Sequence, residues 1–169
     1  MRIRRHLEPG DLGEIVAFHG RIYGEEWGND STFEAMVATS VAEPGIRGFP
    51  SPREGIWIVE EDGRLVGCLG LTDEGDGEGR LRWFVFEPAL RGRGLGRRLL
   101  DELFAKAERE GYERITLETF SDLEAAAHLY RERGFELVWE DTRPRWGRSA
   151  VTYQRYELAL VPAASTPAA

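Results

Sequence analysis

Eight residues constrain this chain more than any others. They are Arg91-Gly92-Arg93-Gly94-Leu95-Gly96-Arg97-Arg98, four arginines and three glycines with no acid, in a protein of formal net charge −8. The apolar run Leu81 to Phe86 precedes them and reads as a buried strand. Leu95, Leu99, Leu100, Leu103, Phe104 and Ala107 follow on one face of a helix. A strand, a glycine-rich turn and a helix start together form an anion site. Glycine lets the backbone approach a ligand closely, and the first helical turn leaves amide N–H groups without partners. The ligand implied is a phosphate, expected as a pyrophosphate.

The rest of the chain narrows the reading. Its 169 residues suit one domain with a sizeable core. Hydrophobic residues are 41% and charged residues 31%, a globular balance. A pI near 5.0 argues against nucleic acid as a partner, so the one basic cluster is a site and not a footprint. No run reaches the length of a membrane span, and Met1-Arg2-Ile3-Arg4-Arg5 lacks the apolar stretch of a signal peptide. The lone cysteine, Cys68, sits in Leu65-Val66-Gly67-Cys68-Leu69 and reads as a small buried side chain. Together these features predict a cytoplasmic protein. No Cys/His spacing suggests a metal site, and His6 and His128 look incidental.

Read for elements, Arg2 to His6 is a first strand, and Asp11 is placed to cap a helix that ends at Gly24. Asn29-Asp30-Ser31-Thr32 opens a second helix, with Phe33, Met36, Val37 and Val41 on its apolar side. Pro44 to Pro52 reads as a loop. Ile56 to Glu60 and Arg64 to Leu71 are strands joined by the hairpin signal Asp62-Gly63. The acidic turn Asp73 to Gly79 leads into the strand Arg80 to Phe86. A helix to Glu110, a strand Arg114 to Thr119 and a helix Asp122 to Arg133 follow. Two last strands, Phe135 to Glu140 and Val151 to Leu160, flank a loop Thr142 to Ala150. Residues 1–161 are expected to form one domain and 162–169 a disordered tail. The order, hairpins first and a βαβ unit after, is that of a mixed α/β (α+β) sheet with helices on both faces. A Rossmann-type site is disfavoured, because its glycine turn follows the first strand of a βαβ unit and this one follows four strands.

In this setting Arg91, Gly94 and Gly96 resemble the R/Q-x-x-G-x-G/A element of the GNAT N-acetyltransferase superfamily. Phe84-Val85-Phe86-Glu87-Pro88 resembles the strand that leads into it. Ala126-Ala127-His128-Leu129-Tyr130-Arg131-Glu132-Arg133-Gly134-Phe135 resembles the superfamily's second signature, A-x-x-L-Y-x-x-x-G-F. The resemblance runs from Ile3 to Leu160. It is nearest to the acetyltransferase half of bacterial proteins that fuse a MarR-type DNA-binding domain to such a domain. The similar stretches there are His19 to Glu26, Phe33 to Ala38 and Leu81 to Phe84. Regulation of the MarR kind is not carried over.

The resemblance implies a GNAT fold, with about six or seven mostly antiparallel strands and about four helices. It implies acetyl-CoA as co-substrate, direct attack by a primary amine of a small molecule or a protein, and homodimers as a common state. Gly92, Arg93, Gly94, Leu95, Gly96 and Arg97, with Arg91, would hold the pyrophosphate. Phe84, Val85 and Phe86 would line the pantetheine arm, whose amides pair with a splayed strand. Tyr130 would be the general acid for the departing thiolate, whose solution pKa is near ~8.5. A backbone amide near Phe86 would meet the oxyanion. Leu123 stands where the superfamily often has a CoA-contacting asparagine. Glu118, on the strand facing the splay, is the first candidate base, with Glu87 and Glu26 behind it. His19, Tyr23, Glu26, Trp27 and Trp146 are expected to form the acceptor pocket, their aromatic rings and carboxylates suiting a cationic amine. Two alternatives stand beside this reading: a non-catalytic acyl-CoA-binding sensor, and a longer acyl donor such as succinyl-CoA.

Overall fold

A computed structural model describes residues 1–160, so the expected tail, 162–169, lies outside the described residues. The strands are β1 (Arg2–Arg4), β2 (Gly55–Glu61), β3 (Arg64–Gly75), β4 (Glu78–Phe86), β5 (Arg114–Phe120), β6 (Glu136–Arg145) and β7 (Arg148–Ala159). The helices are α1 (Asp11–Trp27), α2 (Ser31–Ile46), α3 (Leu95–Arg109) and α4 (Glu124–Glu132). One sheet holds all seven strands in the order β1-β2-β3-β4-β5-β7-β6. Every neighbouring pair is antiparallel except β4 and β5. This is the mixed, mostly antiparallel architecture the element order predicts.

Alternation along the strands divides the core in two. On β2, Trp57 and Val59 join the cluster under α3 and α4, while Ile56 and Ile58 join the one under α1 and α2. Helix α3 buries Leu95, Leu99, Leu100, Leu103, Phe104 and Ala107, the face read from its spacing. Helices α1 and α2 bury Ile15, Phe18, Ile22, Phe33, Val37 and Val41. Met36, expected on that face, lies at its partly exposed margin.

Several boundaries move. Helix α1 passes through Gly24 and ends at Gly28, whose φ of 69° suits a helix stop. Asp11 does not cap it. Its carboxylate instead takes two hydrogen bonds from the buried Arg4, at 2.9 and 2.8 Å, and one from the Glu8 amide at 2.6 Å. Helix α2 runs through Pro44. The turn behind it closes with Gly48 N–H to the Gly45 carbonyl and Phe49 N–H to the Pro44 carbonyl, and the N–H that proline lacks would have met the Ser40 carbonyl. The final hairpin is tighter than expected, with Trp146 and Gly147 alone between β6 and β7, both at positive φ.

Candidate active site

The site begins with a defect in β4. Cys68 pairs with Val85 and Gly70 with Arg82, so Leu69 of β3 faces two residues, Trp83 and Phe84. This is a β-bulge, and Trp83 takes φ 54°, rare for a bulky residue. The surroundings hold it there. Its indole Nε1 donates to Ser40 Oγ at 3.0 Å, and its carbonyl accepts from Cys68 Sγ at 3.2 Å. A Cβ on Gly70 would come within 2.6 Å of the indole ring, so glycine is what lets the ring lie flat on β3. The Cys68 thiol is buried, which pushes its pKa up and keeps it inert. Past the bulge β4 leaves its neighbour: β4 and β5 pair only over Glu78–Leu81 and Arg114–Leu117. From Arg82 to Phe86, β4 has no strand partner on its β5 side among the described residues.

On one side of this opening lies a cleft of about 630 Å³. Phe84, Val85 and Phe86 form one wall, and Leu123, Ala125, Ala126 and Leu129 of the α4 region face them. The glycine turn closes one end. Gly92 and Gly94 sit at φ 70° and 79°, and added Cβ atoms there would meet nothing within 4 Å. Among the described residues, the amides of Gly92, Arg93, Gly94, Leu95, Gly96 and Arg97 have no hydrogen-bond acceptor. Arg91 N–H, before them, bonds to the Pro88 carbonyl, and Arg98 N–H, after them, to the Gly94 carbonyl. A continuous row of main-chain donors at a helix start, where the dipole adds partial positive charge, fits a pyrophosphate. The side chain of Leu95 turns into the core.

The arginines here are mostly spoken for. Arg91 gives both terminal nitrogens to Glu26, each at 2.6 Å, and its Nε to the Phe86 carbonyl at 2.9 Å. Arg97 pairs with Glu132 at 2.7 Å, and Arg98 lies 3.7 Å from Glu102. Only Arg93 of the four has no acidic partner among the described residues. The cluster that looks uncompensated in sequence is therefore largely compensated in space.

On the other side lies a smaller pocket of about 160 Å³, and Tyr23, Phe84 and Leu123 line both spaces. Of the expected acceptor residues, His19, Tyr23 and Trp146 line this pocket. Glu26 and Trp27 do not: Glu26 holds Arg91, and Trp27 lines the larger cleft. Tyr23 stacks on His19 with ring centroids 5.7 Å apart, and Phe33 and Phe120 lie 5.0 and 5.4 Å from Trp146. Burial pushes the His19 imidazole down to about 4, so it is neutral near pH 7. Its Nδ1 faces the Ile15 carbonyl at 2.7 Å.

Tyr130 also lines the smaller pocket, 6.1 Å from the Phe84 ring between centroids. Its hydroxyl has no hydrogen-bond partner among the described residues, and burial raises its pKa, which keeps the phenol protonated. Glu118 reaches the same pocket, accepting from Tyr153 Oη at 2.8 Å with Arg80 Nη1 at 3.9 Å. Glu87 lies away from both spaces, its carboxylate 4.0 Å from Arg64. Several pocket residues escape the sequence reading, among them the polar Ser40, Arg80, Arg82, Thr119 and Tyr153. The available signal was two arginines alternating with Leu81 and Trp83 along a strand at the centre of the sheet.

No helix among the described residues is long and apolar enough to cross a membrane. Residues 17–135 match the acetyltransferase (GNAT) family, a stretch that includes the donor row and Tyr130. An uncharacterised N-acetyltransferase of Escherichia coli is 33% identical over 106 residues, 59% of this chain and 64% of its own length. The chain thus spans a little under two thirds of that relative. Another from Schizosaccharomyces pombe is 31% identical over 81% of this chain and 83% of its own. In structure, an acetyltransferase of Salmonella typhimurium solved with acetyl-CoA superposes with a TM-score of 0.67 at 21% identity, over 100% of this chain and 99% of that one. The bulged strand, the glycine turn and the matched sequence coincide on one cleft, and the chain belongs to the GNAT family of acetyltransferases.

Proposed function

We propose that the protein moves an acetyl group from acetyl-CoA to a primary amine, of a small molecule or a protein, by direct attack. The observation that carries this is the row of unpartnered amides from Gly92 to Arg97 at the end of the cleft beside β4. These residues hold the pyrophosphate, with Arg93 as the nearby cation that has no acid of its own. Phe84, Val85 and Phe86 receive the pantetheine arm, and the unpaired edge of β4 meets its amides as a neighbouring strand would. The Salmonella neighbour's acetyl-CoA supports the same choice of donor.

The chemistry needs one proton taken and one given. The amine nitrogen attacks the thioester carbonyl carbon, a carbon–nitrogen bond forms and the carbon–sulfur bond breaks. The proton lost by nitrogen passes to Glu118, and Tyr130 donates one to the leaving thiolate. A backbone N–H of β4 near Phe86 stabilises the developing oxyanion. The likeness to the MarR fusion proteins concerns only their acetyltransferase half. We place the protein in the cytoplasm, on its single cysteine, a buried free thiol that suits a reducing compartment.

Thiol release from acetyl-CoA across a panel of polyamines, aminoglycosides, amino acids and lysine peptides tests the reading. Tyr130→Phe is expected to lower kcat by about 100-fold or more while the acetyl-CoA Kd stays within twofold. Unchanged turnover would remove Tyr130 from the mechanism. Tight acetyl-CoA binding with transfer to no amine would turn the assignment to a sensor.

A further inference from the structure

The smaller pocket is lined by two arginines that each keep one nitrogen without a hydrogen bond among the described residues, donors that a plain amine acceptor would not use. We infer that the acceptor is a small primary amine that bears its own carboxylate, about the size of an amino acid. Its carboxylate sits on Arg82 and Arg80 and its amine points to the opening shared with the larger cleft. This rests on the acetyltransferase reading above and narrows its substrate.

Arg80 and Arg82 are two apart on β4 and line the pocket together. Each is pinned from behind. Arg82 donates Nε to Thr72 Oγ1 at 2.9 Å and Nη2 to Glu74 Oε1 at 3.0 Å. Arg80 donates Nε to Thr116 Oγ1 at 3.3 Å and Nη2 to Glu78 Oε1 at 3.4 Å. The Nη1 of each has no hydrogen-bond acceptor among the described residues, the nearest acid to that of Arg80 being Glu118 at 3.9 Å. A guanidinium already fixed at two nitrogens loses little freedom when a third meets a carboxylate.

An independent observation points the same way. Thr119 also lines the pocket, and its Oγ1 is buried with no partner among the described residues. A hydroxyl shut away from water in this manner is costly unless something bonds to it, and a bound acceptor with polar oxygens supplies that bond.

Charge and size then select the ligand. Arg80, Arg82 and Glu118 are the charged side chains lining the pocket, and Glu74 and Glu78 hold the two arginines from behind. A bare alkylammonium can use Glu118 alone, whereas an acceptor with its own carboxylate also meets the Nη1 donors of Arg80 and Arg82. The same arginines favour the neutral amine, which is the form that attacks. The pocket, of about 160 Å³, is the smaller of the two spaces and suits a small acceptor such as an amino acid. Phe33, Val37 and Trp146 offer an apolar side chain its wall.

The test pairs each amino acid with the amine that lacks only its carboxylate: L-methionine with 3-(methylthio)propylamine, L-leucine with isoamylamine, L-phenylalanine with phenethylamine. The purified protein is given acetyl-CoA and thiol release is followed, with acetyl-CoA affinity measured separately by calorimetry. At least one amino acid is expected to exceed its partner amine in kcat/KM by about 10- to 100-fold. Arg82→Gln should bring that ratio near one and leave the acetyl-CoA Kd within twofold. Thr119→Val should lower kcat/KM for the amino acid about tenfold. Equal or better use of the bare amines overturns the inference and leaves the acetyltransferase standing. Acetyl-CoA binding with thiol release from neither series also overturns it. Failure to bind acetyl-CoA at all takes down the parent reading and this one with it.

Discussion

At the scale of single residues, the glycine turn separates two kinds of arginine. Arg91 is a staple: its guanidinium ties the end of α1, through Glu26, to the last carbonyl of β4. Arg93 has no such tie among the described residues. Arg93→Ala is therefore expected to weaken acetyl-CoA binding about fivefold or more and lose that excess at high salt, as an exposed charge contact should. Arg91→Ala should change affinity less than threefold and cost about 1 kcal/mol of stability at most, the range for a surface pair. Calorimetry at two salt concentrations, with thermal melts, checks both. The cluster itself was plain in the sequence. Its compensation was not, because Glu26 and Glu132 lie 65 and 35 positions away along the chain and only the fold brings them near. Arg80 and Arg82 were missed for a related reason: an arginine in a strand says nothing about which of its nitrogens the neighbours will use.

Between residues and the molecule stand the elements, and the decisive one is β4. Its apolar run was legible, and so was the helix that follows, because both depend on local spacing. The bulge was not, since Trp83 is a residue that composition would never place at φ 54°. Only Ser40, Cys68 and Gly70, from two other elements, make that conformation hold. Pro44 departs in the opposite direction: it lacks the N–H that would bond the Ser40 carbonyl, a signal for ending α2 early, yet the helix runs on to Ile46. Gly94, the residue before α3, shows what the turn demands. With φ 79° and open space where a side chain would go, its restriction is conformational and not steric. Gly94→Val should cost about 1–2 kcal/mol of stability if the backbone stays put. If the backbone relaxes, the donor row is bent and acetyl-CoA affinity falls about tenfold or more. Denaturant melts and a binding titration together distinguish the two, and a variant unchanged in both would show that the turn is not what holds the diphosphate.

The whole molecule is two cores on one sheet, and its stability depends on burying polar groups as well as apolar ones. His19 lies inside the α1–α2 core as a neutral imidazole, held near a pKa of about 4 against about 6.5 when exposed. Its folded pKa is the lower, so unfolding takes up a proton as the pH falls. The stability is intact above about pH 6.5 and erodes toward pH 4, by about 3 kcal/mol at most. His19→Leu should flatten the melting temperature across that window. Asp11, Glu74, Glu78 and Glu102, whose hydrogen bonds and arginine partners hold them below the usual carboxylate range, should still give a steep fall at lower pH. Melts at half-unit pH steps would show it, and an equal slope in the variant would clear His19 of the effect. The order of elements and the two-sided layering could be read from the chain. The strand order could not, because β7 entering between β5 and β6 is a long-range choice that no local pattern records.

That sheet also contains an oddity of position. Sheets usually protect their backbone by keeping exposed borders at the outside and few in number. Here β4, fourth of seven and flanked on both sides, carries a border of its own from Arg82 onward, turned inward and roofed by α4. A border in that place is set back from the rim where sheets of two molecules meet, and under the proposed function it is kept for a slender guest with amide groups to lie along.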